Sequence, residues 1–189
     1  MTWDNIPGHF NWHHLYARWA AQLPPNAVCV EVGVYLGRSL AFMADQLKQG
    51  GRLDVRLWGV DLFGGPQDHP DMDALVENSG GSFLHQTAGN LARCGVQSQI
   101  RLLQCESSRA ADLFNWGECS LVYLDACHDF ENVDEDIEAW RRMVKRGGGI
   151  LAGHDYGKNF DGVTRAVDAA AVRFGWDLNI DQNTWWVEL

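Results

Sequence analysis

The sequence predicts an α/β fold, in which a doubly wound sheet of seven mostly parallel strands ends with an antiparallel C-terminal strand. Two observations support this prediction. Segments with helical and with strand periodicity alternate along the chain, and the apolar strands are followed by glycine or by acidic residues. A chain of 189 residues is long enough for one ordinary domain and short for two. We therefore expect a single domain over 1–189, with a helical N-terminal segment at 1–25.

The first half of the chain contains three predicted strands. An apolar stripe at helical spacing predicts a helix over 12–22, which Pro24 ends. A buried strand over 28–34 leads through a glycine turn into a second helix. The segment 63–73 is rich in glycine, proline and aspartate, which predicts a loop, and 63–82 is a candidate lid over the site. The other predicted elements of this half are strands over 55–62 and 100–104 and a helix over 82–94.

The second half of the chain contains two more predicted parallel strands and, at its end, two short strands that can pair with each other. The clearest helix follows the fourth strand: Asn132 is a candidate N-cap, and the acidic residues over 134–136 suit a first turn. Basic residues suit the last turn, before Gly147. A helix over 163–174 precedes two short strands that can pair with each other. The predicted strands of this half are 120–126, 148–153, 176–180 and 184–189.

Composition and charge argue against several classes of protein. The formal net charge of −10 disfavours a broad phosphate-binding face, so nucleic acid is not an expected partner. The sequence has no run of about 18 consecutive apolar residues, so no membrane span is expected. The five cysteines are odd in number and scattered, and they form no CxxC pair. This pattern is typical of reduced thiols in a cytoplasmic protein.

The loop after the first strand is the first candidate binding element. It runs from Glu31 through Gly33, Tyr35 and Gly37 to Ser39. The glycines allow a sharp turn and the close approach of a ligand, and the free N–H groups of the following helix would face that ligand. The loop matches neither GxGxxG nor GxxxxGK[ST], and the Glu31 carboxylate suits an ammonium group rather than a pyrophosphate. A tight turn without a ligand is the alternative.

Polar side chains also follow the second and third strands. Asp61 stands where a carboxylate can accept hydrogen bonds from both hydroxyls of a ribose, and a turn cap is the alternative. Ser107 can contact the edge of an adenine, or it can cap the helix that follows. Because ligands bind at the carboxyl ends of parallel strands, both positions and the glycine loop would face one cleft.

Two segments that combine aspartate and histidine follow the fourth and fifth strands. One contains Asp125 and His128, and the other contains His154 and Asp155. Neighbouring strand ends would bring the two aspartates together, and close carboxylates repel each other unless a cation joins them. Oxygen-rich sites suit Mg²⁺, Mn²⁺ or Ca²⁺, and His128 would be a general base beside the ion. His154 is a candidate ligand, base or ligand-orienting group. Helix-capping aspartates and a surface histidine are the alternative.

With these residues in order, the chain resembles the class I S-adenosylmethionine-dependent methyltransferases. VEVGVYLGRS resembles the first motif of that family, WGVDLF its ribose motif, YLDACHDF its fourth motif and GGGILAGHDY its segment at strand five. The resemblance runs from about Val28 to Ala171. Over 125–171 the chain is similar to the metal-dependent cephalosporin-hydroxylase-like and macrolide-sugar O-methyltransferase groups. It departs from them at His154, where the sugar enzymes carry a carboxylate.

The resemblance implies a Rossmann-like fold and metal-assisted methylation of a hydroxyl on a small molecule, such as a sugar or another natural product. S-adenosylmethionine and a divalent metal, expected to be Mg²⁺, would be the cofactors. The implied site residues are His128 as the catalytic base; Glu31, Gly33, Tyr35, Gly37, Ser39, Asp61, Ser107 and Asp125 for the cofactor; and Asp125 and Asp155 for the metal, to which the chain's own His154 adds a candidate ligand.

Other functions remain open on the sequence alone. A nicotinamide-dependent oxidoreductase shares the architecture and the acid after the second strand, but it needs GxGxxG, which the sequence lacks. A non-catalytic binding or interaction protein can use the same fold. A methyltransferase acting on nitrogen in nucleic acid is disfavoured, since no NPPY-like tetrapeptide follows the fourth strand. A homo-oligomer is compatible with each of these functions.

Overall fold

A computed structural model describes residues 1–64, 70–157 and 159–189, and it leaves the side chains of 70–72 undescribed. Within these residues the chain forms seven strands and seven α-helices, with short 3₁₀ turns at Trp3–Asn5 and Gln97–Gln99. The strands are β1 (Val28–Val32), β2 (Arg56–Asp61), β3 (Ile100–Gln104), β4 (Leu121–Leu124), β5 (Ile150–Gly153), β6 (Asn179–Asp181) and β7 (Thr184–Glu188). The helices are α1 (His13–Gln22), α2 (Arg38–Gln49), α3 (Pro70–Asn78), α4 (Leu84–Arg93), α5 (Ser107–Ala111), α6 (Phe130–Trp140) and α7 (Asp161–Phe174).

The seven strands form one sheet in the order β3-β2-β1-β4-β5-β7-β6. Strands β1 to β5 are parallel to their neighbours, whereas β7 is antiparallel to both β5 and β6. The predicted α/β fold, with its antiparallel strand near the C-terminus, is confirmed. The strand order reverses between β1 and β4, and in open sheets of this kind a ligand crevice forms beyond the carboxyl ends of the strands at the point of reversal.

Helices cover both faces of the sheet because successive strand residues point to opposite sides. On one face α1, α2 and α4 pack against strand residues such as Cys29 and Tyr123. On the other face α5, α6 and α7 pack against residues such as Val30 and Val122. Each face therefore has its own apolar core, and the central strands β1 and β4 are buried along their whole length. These rigid central strands position the loops that follow them.

The predicted loop over 63–73 and candidate lid over 63–82 are partly helical. Helix α3 begins at Pro70, within the predicted loop. Proline suits the first position of a helix because the N–H that it lacks has no helical partner there, so the proline that predicted a loop instead marks a helix start. Residues 65–69 lie outside the described part of the chain, and the role of 63–82 as a lid stays a prediction.

The start and end of α6 differ from the prediction. Asp129, not Asn132, is the N-cap, and its side chain accepts a hydrogen bond from the Asn132 N–H at 3.0 Å. The predicted first-turn acids over 134–136 therefore lie beyond the first turn, which contains Glu131. The helix ends at Trp140, before the predicted stop at Gly147, because the chain then pairs with residue 119 of the segment that leads into β4.

Among the described residues, no helix combines the length and the apolar run that crossing a bilayer needs.

Candidate active site

The loop between β1 and α2 packs directly on the chain that leaves β4. Gly33 has a φ of +84°, and a Cβ built on it would lie 1.8 Å from the carbonyl oxygen of Asp125. Only glycine fits this close approach of two backbones. Gly37, with a φ of +87°, is the N-cap residue just before α2, and no side chain caps the first turn of that helix. The uncapped N–H groups of α2 lie at the carboxyl edge of the sheet.

The carboxylate of Asp61, at the end of β2, holds this loop in place. Its Oδ2 accepts hydrogen bonds from the backbone N–H groups of Val34 and Tyr35 at 2.8 and 2.9 Å. Its Oδ1 accepts one from the N–H of Phe63 at 2.7 Å. Burial raises the pKa of Asp61, and the three N–H donors act against that rise. The N–H of Leu62 also favours the charged form, so Asp61 is held mainly by backbone donors from the loops after β1 and β2.

Glu31 lies beneath the loop and connects it to the N-terminal segment. Its side chain is buried, and it accepts hydrogen bonds from the Tyr16 hydroxyl at 2.9 Å and from the Ser39 hydroxyl at 2.7 Å. Burial raises the pKa of Glu31 to about 8, although both hydrogen bonds favour the charged form. Tyr16 belongs to α1, so this carboxyl joins α1, β1 and the start of α2.

Glu31→Gln is expected to change how stability depends on pH. The folded protein keeps the Glu31 proton up to about pH 8, whereas the unfolded chain releases it near the ordinary pKa of 4.5. The Glu31 contribution to the free energy of unfolding therefore falls as the pH rises between these values and then levels off. In Glu31→Gln the free energy of unfolding should fall less steeply with pH, by up to about 1.4 kcal/mol per pH unit, as measured by urea unfolding.

The matched control for this experiment is Glu188→Gln, which removes an exposed carboxylate from β7. Burial also raises the pKa of Asp125 to about 7 and that of Asp136 to about 6. Their contributions to the free energy of unfolding therefore also fall as the pH rises, but at lower pH than that of Glu31. The comparison is therefore sharpest from about pH 7 to 8. An unchanged slope in Glu31→Gln would contradict a protonated Glu31 in the folded state.

The segments after β4 and β5 bring two carboxylates and one imidazole together. His154 Nδ1 lies 3.0 Å from Asp155 Oδ1 and 3.9 Å from Asp125 Oδ1. One ligand atom from each of these three residues falls within 4.8 Å of the others. The predicted proximity of Asp125 and Asp155 is confirmed, and it follows from the parallel pairing of β4 with β5.

The two aspartates differ in their preference for a proton. Burial raises the pKa of Asp125 to about 7, and the neighbouring His154 acts against this rise. Burial also favours the neutral form of Asp155, but hydrogen bonds with His128 and His154 outweigh it and hold the pKa of Asp155 well below its usual range. Asp155 is therefore the permanently charged member of the cluster, whereas Asp125 can accept a proton near neutral pH.

His128 is held against the same cluster. Its Nε2 lies 2.9 Å from Asp155 Oδ2, and its ring stacks on that of Phe160 at a centroid distance of 4.3 Å. About 30% of the His128 side chain is exposed. A hydrogen bond to a carboxylate orients an imidazole and stabilises its protonated form, so the arrangement suits a general base.

The hydroxyl of Ser107 is engaged inside the protein. It accepts a hydrogen bond from Trp140 Nε1 at 2.9 Å and also bonds the carboxyl of Asp136. Asp136 is buried and lines a pocket together with Asp125 and His128. Because a hydroxyl can accept two bonds and donate one, Ser107 retains one acceptor position for a ligand.

Most of the site lies in a segment that matches a known protein family. Residues 30–156, more than half of the chain, match the family model described as the methyltransferase domain. The chain belongs to this family. The match begins within β1 and ends just after Asp155, so it includes the glycine loop, Asp61 and the Asp125–His154–Asp155 cluster. The resemblance drawn from the sequence motifs is confirmed.

Solved structures of other proteins are similar in fold. That of the O-methyltransferase NovP has a TM-score of 0.73 at 16% identity, covering 94% of this chain and 78% of that one. That of CalS11, a calicheamicin methyltransferase, has a TM-score of 0.67 at 18% identity, covering 94% and 77%. A SAM-dependent O-methyltransferase from Thermotoga maritima has a TM-score of 0.61 at 12% identity, covering 96% and 67%. No curated protein sequence matches the chain.

Within this methyltransferase domain, the predicted site residues fall into two groups. The metal and base candidates Asp125, His128, His154 and Asp155 line one pocket. The cofactor candidates Glu31, Ser39 and Asp61 hold the glycine loop through partners within the chain, whereas Ser107 bonds Trp140 of α6. Several of these polar groups therefore hydrogen-bond the loop itself. Their positions after the strands did not predict this role.

Three residues of the site were not predicted from the sequence. Trp12 stacks on His154, Phe160 stacks on His128, and Asp136 lines the pocket as a buried carboxyl. Trp12 fits the apolar stripe of α1, so its pattern indicates only core packing. Asp136 sits in an acidic run, and its spacing from the apolar residue Val133 was the one signal that it faces inward.

Proposed function

We propose that this methyltransferase domain transfers a methyl group from S-adenosylmethionine to a hydroxyl group of a small molecule. His128 acts as the general base, and a divalent cation is held by Asp125, His154 and Asp155. The observation that carries the proposal is the meeting of these residues at the carboxyl edge of β4 and β5, beside the glycine loop. The O-methyltransferase NovP and the calicheamicin methyltransferase, similar in fold, support a hydroxyl on a small molecule as the acceptor.

The chemistry of the glycine loop fits the cofactor. S-adenosylmethionine supplies a sulfonium methyl group, an amino acid end and a ribose. The uncapped first turn of α2 suits the carboxylate of the amino acid end, in the loop from Gly33 through Tyr35 and Gly37 to Ser39. Asp61 ends β2 and Ser107 follows β3, so their oxygens lie at the carboxyl edge where a ribose hydroxyl and the edge of an adenine would bind. Glu31 acts through its bond to Ser39, since it is buried below the loop.

The cluster of Asp125, His154 and Asp155 fits a divalent cation. Its donors are two carboxylates and an imidazole, and their separation allows one ion to reach all three residues. A cation bound there lowers the pKa of an acceptor hydroxyl that lies against it. Burial raises the pKa of Asp125 and the charge of Asp155 adds to that rise, so a bound cation would offset the repulsion between the two carboxylates.

His128 removes the proton from the acceptor hydroxyl. Its Nε2 is bonded to the carboxylate of Asp155, which orients the ring and stabilises the imidazolium that forms. Bound S-adenosylmethionine would supply the methyl group: a bond from the hydroxyl oxygen to the methyl carbon would form as the bond from that carbon to sulfur breaks, with S-adenosylhomocysteine as the leaving product. The protein positions the two reactants, and this positioning supplies much of the rate.

Calorimetric titration with S-adenosylhomocysteine tests the cofactor part of the proposal. We expect micromolar binding, measured with the divalent cation present and again after chelation. Asp61→Asn places an amide against three backbone N–H donors and should weaken binding by about tenfold or more. Asp177→Asn, at an exposed position, is the matched control. A folded protein that binds no S-adenosylhomocysteine in either condition would overturn the proposal and favour a non-catalytic interaction protein.

A further inference from the structure

The candidate metal site contains an imidazole nitrogen that lies close to both of its carboxylates. His154 is buried, with 9% of its surface exposed, and its Nδ1 lies between Asp155 Oδ1 and Asp125 Oδ1. His154 and Asp155 are neighbours in the chain, and in an extended strand their side chains would point to opposite faces. Asp155 has a φ of +61°, which ends the extended conformation and lets both side chains reach one pocket.

Trp12 fixes the orientation of this imidazole. The indole stacks on the His154 ring with a centroid distance of 3.8 Å and an interplanar angle of 29°. Trp12 is itself buried and stacks on Tyr123 at 5.9 Å, so it cannot move aside without disturbing the core. The imidazole is therefore held as a third donor beside the two carboxylates. Its side chain is ordered on folding, so binding an ion requires little further loss of conformational entropy.

The donor set distinguishes between divalent ions. Mg²⁺ prefers oxygen ligands in strict octahedral geometry, whereas imidazole nitrogen suits ions of the first transition row. We propose that His154 makes this site selective for a first-row transition metal ion, from Mn²⁺ to Zn²⁺, over Mg²⁺. The inference rests on the metal site of the proposed function and names the class of ion that this site holds. It replaces the expectation of Mg²⁺ drawn from the family resemblance.

Metal titrations of the chelator-treated full chain test the inference. We expect Mn²⁺ and Co²⁺ to bind at least about tenfold more tightly than Mg²⁺, measured by calorimetry and by competition of Mg²⁺ against the Mn²⁺ EPR signal. His154→Asp restores an all-oxygen site and should lower this ratio by about tenfold. The matched control is His85→Asp, on the exposed surface of α4, which should leave the ratio unchanged.

A second measurement detects the coordinated nitrogen directly on the native protein, with His85→Asp as its control. The electron spin echo of Mn²⁺ bound to the native protein should show modulation from a coordinated imidazole nitrogen, and this modulation should be present in His85→Asp. Mg²⁺ binding as tight as Mn²⁺ binding, or an echo without nitrogen modulation, would overturn the selectivity while leaving a metal-assisted reaction in place. A protein that binds S-adenosylhomocysteine but none of these ions would overturn both the selectivity and the metal site. Cofactor binding would survive that result.

Discussion

His128→Ala is expected to lower the kcat of methyl transfer by about 10²- to 10⁴-fold while leaving the affinity for S-adenosylhomocysteine nearly unchanged. The variant removes the group that takes the proton, and His128 contacts Asp155 and Phe160, which lie outside the glycine loop. The rate is measured as transfer of labelled methyl to an acceptor found by screening hydroxylated small molecules, and the affinity is measured by calorimetry.

The control for this variant is His85→Ala, because His85 is an exposed histidine on α4 outside the site. It should keep both the kcat and the affinity of the native protein. A folded His128→Ala protein that no longer binds S-adenosylhomocysteine would assign His128 to the cofactor site. A kcat reduced less than about tenfold would show that another group takes the proton.

Gly33→Ala should have the largest effect on the scaffold, lowering the free energy of unfolding by about 3 kcal/mol or more. The new Cβ would overlap the carbonyl oxygen of Asp125, and the residue would keep a φ of +84°. The loop and the end of β4 must then separate, which displaces Asp125 from the cluster and the loop from Asp61. Affinity for S-adenosylhomocysteine should fall with stability, as measured by urea unfolding and calorimetry.

Gly51→Ala separates the cost of the left-handed backbone from the cost of the overlap with Asp125. Gly51 has a φ of +70°, and a Cβ there has no atom within 4 Å, so the variant carries only the cost of the left-handed conformation, about 1 kcal/mol. Equal losses in the two variants would mean that the contact between Gly33 and Asp125 contributes nothing. Cofactor affinity in Gly51→Ala should match that of the native protein.

Backbone conformations that are unusual for side-chain-bearing residues occur at the carboxyl edge of the sheet. Among the described residues, Tyr35, Phe63 and Asp155 have φ values of +49°, +52° and +61°, and they follow β1, β2 and β5. Such conformations persist where surrounding contacts hold them, and they are common at functional sites. Here the bonds from Asp61 hold Tyr35 and Phe63, and the two histidines hold Asp155.

The N-terminal segment takes part in the site through two side chains. Trp12 stacks on His154, and Tyr16 donates a hydrogen bond to Glu31. Neither contact could be predicted from sequence, because both residues fit the apolar stripe that packs α1 on the sheet. Periodicity shows which face of a helix is buried, but it does not show which polar group meets that face.

The sequence by itself determined the α/β fold, the positions of the strands and the meeting of Asp125 with Asp155. These features follow from local periodicity and from the parallel pairing of neighbouring strands, which places their carboxyl ends at one edge. Only the tertiary structure decided how the polar groups are used. Asp61 bonds the loop, Ser107 bonds Trp140, and His128 bonds Asp155. Each of these bonds joins residues that are distant in sequence. Local sequence patterns do not predict such contacts, because they depend on how the elements pack together.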